Sequence, residues 1–306
     1  MGQERILVTG ANGFVGKYMV RELLSRDYEV VCFIQPGTSE EPLSGLDIEL
    51  KWGDLRDKDS LIPAVAGAQA VIHLAAAVAV PDPRTNFEVN VTGVQHLMDV
   101  CKLNDVERVI AYSSISAKRQ RAGAYAHSKK QSESILSDSQ AHVTIFRPDL
   151  IYGNGSGGLR KIIKQVKAYP LFIPMVGKGE IIRQPVYVRD IVKLTADVIP
   201  NPTSFDKAFD VGGETPIRFR ELVLMIADEF GVNKTIFPIP RWTAKLVAYA
   251  LEEISPNPAF TSDNVLGLIE STDFDAAATI RELSFTPTPL RAGLKRAIHE
   301  LSKDIV

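Results

Sequence analysis

A tyrosine and a lysine four residues apart, Tyr125 and Lys129, have the spacing needed to move a proton. The i, i+4 spacing puts both side chains on one face of a helix. A lysine cation near a phenol favours the phenolate and lowers the tyrosine pKa from its usual value of about 10. The pair therefore predicts a general acid/base that moves a proton on or off a carbinol oxygen.

A serine where the preceding strand ends extends this candidate site. Ser114 follows the strand-like run Arg108–Ser113, and ligands of open α/β sheets bind at this carboxyl edge. Its hydroxyl can hydrogen-bond the same substrate oxygen. The alternative interpretation is a surface Tyr–Lys pair with a serine helix cap.

A glycine-rich turn, Thr9–Gly16, follows the first strand-like run and opens a helix. Gly10 permits a tight turn, Gly13 lets backbone N–H groups approach a pyrophosphate, and Gly16 lets the helix lie close to the sheet. Phosphates are favoured at a helix N-terminus by unpaired N–H groups and the helix dipole. The turn predicts a dinucleotide site, and the alternative is a strand-to-helix turn that binds nothing.

Two later strand ends fit the same groove. Asp54 follows the third strand, where its carboxylate either accepts from an adenine amino group or caps the next helix. The residues Leu74, Ala75 and Ala76 follow the fourth strand, and small side chains there let a ribose lie against the backbone. His73 is in that strand, and we expect it to be a core histidine.

The end of the second strand predicts the choice of cofactor. Gln35 lies at this tip, and no Lys or Arg occurs between Arg26 and Lys51 to accept the 2′-phosphate of NADP. The Gln35 amide can still hydrogen-bond a ribose 2′-OH. The sequence therefore favours NAD, with NADP as the alternative if Lys17 or Arg56 reaches the phosphate.

Short apolar runs alternate with helical patterns in the first half of the chain, which predicts an α/β fold with a doubly wound parallel Rossmann sheet. We expect residues 1–150 and about 186–212 to form the dinucleotide-binding domain. About 151–185 and 213–306 would form a smaller, mostly helical substrate lobe. The predicted strands of the first half are Arg5–Thr9, Glu29–Ile34, Ile48–Trp52, Ala70–Leu74, Arg108–Ser113 and Val143–Arg147.

Composition excludes several other classes of protein. The 306 residues are 45% hydrophobic and 24% charged with a net charge of −2, unlike the basic surface typical of nucleic-acid binders. No apolar run approaches the roughly 20 residues that span a bilayer, and no signal-peptide pattern opens the sequence. Two cysteines, Cys32 and Cys101, are too few for a disulfide framework or a Cys-based zinc site. We therefore expect a cytoplasmic protein that binds a small molecule and neither binds nucleic acid nor inserts into a membrane.

Taken together, these motifs resemble an extended short-chain dehydrogenase/reductase of the NAD-dependent epimerase/dehydratase group. The chain is also similar to the dihydroflavonol-reductase-like and complex I-associated branches. The segments that carry the resemblance are Thr9–Gly16, Gly53-Asp54, His73–Ala76, Asn90–Gly93, Ser113-Ser114, Tyr125-x3-Lys129, Arg147-Pro148 and Val186–Asp190.

The resemblance implies a role for each matching residue. It gives Ser114, Tyr125 and Lys129 as the catalytic triad, with Lys129 also holding the nicotinamide ribose and Asn90 beside the active-site helix. It also implies a homodimer. Its remaining cofactor residues are Asn12, Gly13, Phe14 and Val15 at the pyrophosphate together with Leu55 and Pro148, and its substrate residues are Ser116, Leu150 and Arg183.

Two departures separate the chain from the sugar-nucleotide epimerases that it resembles. Asp149 and Leu150 follow Arg147-Pro148 where those enzymes carry a substrate-contacting Asn, and only ten residues separate Ser114 from Tyr125. Arg183 does match their diphosphate-binding arginine, and a salt bridge at a domain interface is the alternative role for it.

The first functional expectation is hydride transfer at a carbinol or ketone carbon of a sugar nucleotide, with Tyr125 as the acid/base. The alternatives are a ketone or aldehyde reductase of the dihydroflavonol-reductase-like type and a dinucleotide-bound scaffold without chemistry.

Overall fold

A parallel sheet of seven strands lies at the centre of the protein. The computed structural model describes residues 3–78, 80, 82–119, 123–254 and 274–303. Its strands are β1 (Arg5–Thr9), β2 (Glu29–Ile34), β3 (Glu49–Trp52), β4 (Ala70–His73), β5 (Arg108–Tyr112), β6 (His142–Pro148), β7 (Ile151–Tyr152), β8 (Phe172–Val176), β9 (Ile182–Arg183), β10 (Val186–Tyr187), β11 (Lys207–Val211), β12 (Ile217–Arg218) and β13 (Thr235–Ile239).

The sheet has the order β3-β2-β1-β4-β5-β6-β11, and all neighbouring strands are parallel. The order reverses between β1 and β4, which opens the crevice where dinucleotides bind in doubly wound sheets. The predicted fold class and all six predicted strands of the first half are thereby confirmed. The short apolar stretch near residue 208 also joins the sheet, because β11 pairs with β6.

The described helices cover the sheet and build a second, smaller region. They are α1 (Gly16–Leu24), α2 (Lys58–Val65), α3 (Pro83–Phe87), α4 (Gly93–Leu103), α5 (Ala124–Ser137), α6 (Gly157–Ala168), α7 (Val188–Val198), α8 (Phe219–Glu229), α9 (Arg241–Ile254), α10 (Ala276–Glu282) and α11 (Leu290–Lys303). Among the residues that the structure describes, no helix is long and apolar enough to cross a membrane.

Alternate side chains of each strand enter opposite layers of the core. Ile6 and Val8 of β1 pack with Met19 of α1 and Ile191 of α7, whereas Leu7 packs in the layer that holds α2 and α4. Because the inner strands β1, β4 and β5 are buried on both faces, their sequences are mostly apolar. This packing fixes the carboxyl edge of the sheet, where the candidate site lies.

A third apolar cluster joins α6, α8 and α11 with the two-stranded sheet of β8 and β13. The predicted division into two domains stays a prediction. Ile280, Leu283 and Phe285, which follow the predicted start of the substrate lobe, pack in the core of the central sheet. The chain thus returns to the sheet a second time, because an apolar face of α10 covers β11.

Candidate active site

The three predicted catalytic residues meet at the carboxyl edge of β5. Ser114 has extended backbone and caps a short 3₁₀ turn, where its Oγ accepts the Ser116 N–H at 3.2 Å. Tyr125 lies in the first turn of α5 and shares a hydrogen bond with the Ser114 side chain. Lys129 lies one turn further along, and its Nζ donates to the Tyr112 carbonyl at 2.8 Å.

The electrostatics of this group differ from the sequence expectation. Burial raises the pKa of Tyr125, and the hydrogen bond with Ser114 and the charge of Arg119 only partly oppose that shift. Burial also lowers the pKa of Lys129 to about 8, against the opposing charge of Glu133. The prediction that Lys129 lowers the tyrosine pKa is therefore wrong here, because the Lys129 ammonium turns to the Tyr112 carbonyl and Arg119 is the cation that acts on the phenol.

Beneath the triad lies a charged group that the sequence reasoning missed. Glu133 of α5 forms a bidentate ion pair with Arg147 of β6, with N···O distances of 2.5–3.0 Å, and accepts a hydrogen bond from Ser113. The pair fixes α5 against the ends of β5 and β6. The sequence spacing could have indicated Glu133, because it lies four residues after Lys129 and therefore on the same helix face as Tyr125 and Lys129.

Asn90 ties the loop after β4 to the active-site helix. It lies in a single π-helical turn, Glu88–Thr92, between α3 and α4. Its Oδ1 accepts the Ala77 N–H at 2.8 Å, and its Nδ2 donates to the Ala77 carbonyl and to the Ser128 Oγ, each at 3.0 Å. Asn90 is therefore beside α5, as the resemblance implies. π-Turns of this kind occur frequently at functional sites.

At the glycines of the glycine-rich turn, a side chain would come too close to the neighbouring backbone. Gly10 has a φ of +68°, and a Cβ there would lie 2.9 Å from the Ala75 backbone. A Cβ on Gly16 would lie 2.2 Å from the Gly10 carbonyl oxygen, whereas one on Gly13 would lie 3.1 Å from it. The bare backbone at the start of α1 fits the pyrophosphate of a dinucleotide.

The other predicted pyrophosphate residues, Asn12, Phe14 and Val15, belong to the same turn. Asn12 bridges to the loop after β2, with its Nδ2 2.8 Å from the Thr38 Oγ1 and 2.9 Å from the Ser39 carbonyl. Phe14 and Val15 pack against the apolar cluster of the smaller region. The turn therefore lies between the central sheet and that region.

The ends of β2 and β3 form a polar cluster at the other end of the groove. Asp54 accepts from the Gln35 Nε2 at 3.0 Å and from the Arg56 guanidinium at 2.6 Å. These bonds, that of Arg56 above all, hold the pKa of Asp54 at about 2. Asp54 is not the helix cap considered from sequence, because Asp57 caps α2 by accepting the Asp59 N–H.

The small residues after β4 lie between these two ends. The Ala75 N–H donates to the Thr9 Oγ1 at 3.3 Å, which holds the Leu74–Ala76 segment against the glycine turn. His73 is buried, as expected for a core histidine; its Nδ1 lies 2.8 Å from the same Thr9 oxygen, and burial lowers its pKa to about 3. Leu55 is buried under α4, and Pro148 is buried where β6 ends.

A cleft of about 970 Å³ opens beside Tyr125 between the sheet edge and the smaller region. Its walls contain all three predicted substrate residues, Ser116, Leu150 and Arg183. Arg183 donates to the Asp149 carboxylate at 3.0 Å, so the alternative role considered for it, an ion pair, is present in the structure.

The strand order, the glycine turn and the Ser–Tyr–Lys group define a Rossmann-fold protein of the extended short-chain dehydrogenase/reductase class. The sequence matches the NAD dependent epimerase/dehydratase family over residues 6–212, and the chain belongs to that family. Membership confirms the expected enzyme class and, at the level of the family, the expected cofactor NAD.

Its relatives carry out different tasks. The chain is 26% identical to a mitochondrial NADH dehydrogenase [ubiquinone] 1 alpha subcomplex subunit 9 of Dictyostelium discoideum, over 94% of this chain and 82% of that protein. It is 26% identical to the human sterol-4-alpha-carboxylate 3-dehydrogenase, over 78% and 70%. In fold it resembles a UDP-glucose 4-epimerase of Thermus thermophilus solved with NAD, with a TM-score of 0.76 and 23% identity over 97% and 99% of the two chains.

Proposed function

We propose that this protein transfers hydride between NAD and a carbinol or ketone carbon, with Tyr125 as the acid/base. The observation that carries the proposal is the hydrogen bond between Tyr125 and Ser114 in the wall of the cleft, one helical turn from buried Lys129. A scaffold without chemistry does not need a phenol, a hydroxyl and a lysine grouped at the end of a cleft.

The chain would hold the dinucleotide along the sheet edge. The turn from Gly10 to Gly16 would bind the pyrophosphate, and Lys129 would hold the nicotinamide ribose, where the nicotinamide supplies or accepts the hydride. Ser114 orients the substrate oxygen by hydrogen bonding. Tyr125 donates a proton to that oxygen in reduction and accepts it in oxidation. Cofactor retention through a turnover would give epimerisation or dehydration, and cofactor release would give net redox chemistry.

The Tyr125→Phe variant tests this function, because it keeps the ring and removes the proton. We expect kcat to fall by at least about a hundredfold, the lower end of a general acid/base contribution, with NADH binding unchanged. Tyr249→Phe, on an exposed tyrosine of α9, is the matched control and should keep full activity. An active Tyr125→Phe protein would contradict the mechanism. Bound NAD without turnover of any ketone or sugar nucleotide would favour the scaffold.

Two further sequence expectations stay predictions. One is a cytoplasmic location, and the other is the homodimer that the family resemblance implies. Size-exclusion chromatography with light scattering measures the second directly.

A further inference from the structure

Apolar side chains form most of the wall of the cleft beside Tyr125. They come from the loop after β4, the turn after β5, the segment after β6, the helices α6, α8 and α9, and the smaller region's sheet. They include Val78, Ile115, Leu150, Met175, Ile239 and Val247. A volume of about 970 Å³ is at the upper end of the roughly 300–1,000 Å³ of small-molecule sites. The cleft therefore has room for a large ligand and little to offer a highly charged one.

The wall also contains a carboxylate that opposes an anionic ligand. The Asp149 side chain is only 8% exposed and lies between the Arg183 guanidinium, at 3.0 Å, and the Gln184 backbone N–H, at 2.7 Å. A buried guanidinium paired with a carboxylate contributes little net positive charge to the cleft. The position that matches a diphosphate-binding arginine is thus neutralised by Asp149, the residue at which the sequence departs from the epimerases.

The other cations of the cleft do not replace a diphosphate clamp. Arg119 lines the cleft, and its charge acts on the Tyr125 phenol. Lys161 lies on the exposed face of α6, where water screens its charge. Tight recognition of a diphosphate uses several cations or backbone N–H groups that converge on one point, and the cleft arginine at the matching position, Arg183, is already paired with Asp149.

We infer that the substrate is an uncharged, predominantly apolar alcohol or ketone, of multi-ring or long-chain size, and carries no nucleoside diphosphate. The inference rests on the proposed function, which places the reacting carbon at Tyr125. The remainder of the substrate then lies between Leu150, Met175 and Val247, where apolar burial supplies the binding free energy.

Two neighbouring residues of α9 give a matched pair for testing the apolar wall. Val247 lines the cleft, whereas Leu246 is outside it; both are more than half exposed, so neither substitution disturbs the core. We expect Val247→Asp to weaken binding of Nile red, a neutral apolar dye, by about tenfold or more, because a carboxylate is costly to desolvate. Leu246→Asp should change it less than about twofold. Equal losses in the two variants, or none in either, would overturn the inference.

Titration with UDP tests the charge argument in the same protein. For the wild type we expect no saturation below about 1 mM, which corresponds to negligible specific affinity. The isosteric Asp149→Asn removes the negative charge beside Arg183, and we expect it to bind UDP at least about fivefold more tightly than the wild type. Micromolar UDP binding by the wild type, or equal UDP affinity in both proteins, would overturn the inference.

Both titrations measure binding without turnover, so they separate this inference from the proposed function. They are repeated in Tyr125→Phe, which should bind Nile red as the wild type does. If Tyr125→Phe abolishes turnover of a UDP-sugar that the wild type converts, the proposed function stands and the apolar substrate is excluded. If Nile red behaves as expected and Tyr125→Phe stays active, the substrate class stands and the acid/base role is excluded.

Discussion

At the scale of single residues, Asp54 controls the charge beside the predicted ribose site. It holds Arg56 at 2.6 Å and Gln35 at 3.0 Å. Asp54→Asn would remove the carboxylate and leave the guanidinium to meet a 2′-phosphate. We expect the ratio of NADP to NAD affinity to rise about tenfold or more, because charge-assisted bonds to phosphate become available. Competitive fluorescence titration of NADH and NADPH measures the ratio.

The control is the double variant Asp54→Asn/Arg56→Gln, in which no cation remains at this position. It should return the ratio to that of the wild type. A preference for NADPH already in the wild-type protein would show that another cation reads the phosphate.

His73 predicts a specific pH dependence of stability. Burial lowers its pKa from about 6.5 to about 3, so the unfolded state binds more protons than the folded state between these pH values. The contribution of neutral His73 to stability is therefore present above pH 6.5 and is lost as the pH drops through this window. Between pH 7.5 and pH 5 we expect a loss of about 2 kcal/mol in the free energy of unfolding, measured by urea denaturation.

His73→Gln tests the assignment, since it should remove most of that slope above pH 5, where carboxylates contribute little. His299→Gln changes an exposed histidine and should leave the slope intact. An unchanged slope in His73→Gln would assign the pH dependence to other groups.

Among the secondary-structure elements, the turn between β1 and α1 contains two glycines with different expected roles. Gly13 is expected to leave space for the cofactor, and Gly16 lets α1 pack closely against β1. A Cβ on Gly13 would lie 3.1 Å from the Gly10 carbonyl, and Gly13 has no positive φ that a side chain would strain. Gly13→Val therefore keeps the fold but places methyl groups where the pyrophosphate approaches. We expect NADH affinity to fall by at least about tenfold in calorimetry, with little change in Tm.

Gly16→Ala should have the opposite profile. Its Cβ would lie 2.2 Å from the Gly10 oxygen and 2.5 Å from the Ala11 oxygen, so α1 must move away from β1. We expect a loss of about 1–3 kcal/mol in unfolding free energy, as for overpacking in a core. Unchanged stability in Gly16→Ala would show that this contact relaxes freely.

At the scale of the whole molecule, Arg108 joins parts of the chain that are far apart in sequence. Its guanidinium donates to the carbonyls of Val198 at 2.9 Å and Ile199 at 3.1 Å, where α7 ends, and to the Ser204 Oγ at 3.0 Å. Burial lowers its pKa to about 10. Arg108→Met would remove the guanidinium that donates to these three groups, and we expect a loss of about 3 kcal/mol in unfolding free energy by urea denaturation.

Arg84→Met is the control, since the Arg84 side chain is exposed to solvent and forms a surface ion pair with Asp82. It should change the free energy of unfolding by less than about 0.5 kcal/mol. If both variants have equal effects, the hydrogen bonds of Arg108 do not stabilise the connection between α7 and β11.

Local patterns in the sequence determined the fold class and the residues at the triad. Apolar runs of strand length, glycines at fixed spacing and the i, i+4 relation of Tyr125 and Lys129 are properties of neighbouring residues, and backbone geometry converts them directly into structure. The Rossmann strands, the glycine turn and the grouping of Ser114 with Tyr125 follow from them.

Which charged side chains of distant segments pair with each other depends on the tertiary structure alone. Asp149 meets Arg183 across 34 residues, Glu133 meets Arg147 across 14, and Arg56 joins Gln35 through Asp54. The sequence could not predict that burial raises the pKa of Tyr125, because desolvation depends on everything packed around the phenol. The apolar character of the cleft was equally hidden, since its walls come from segments between Val78 and Val247 that only folding brings together.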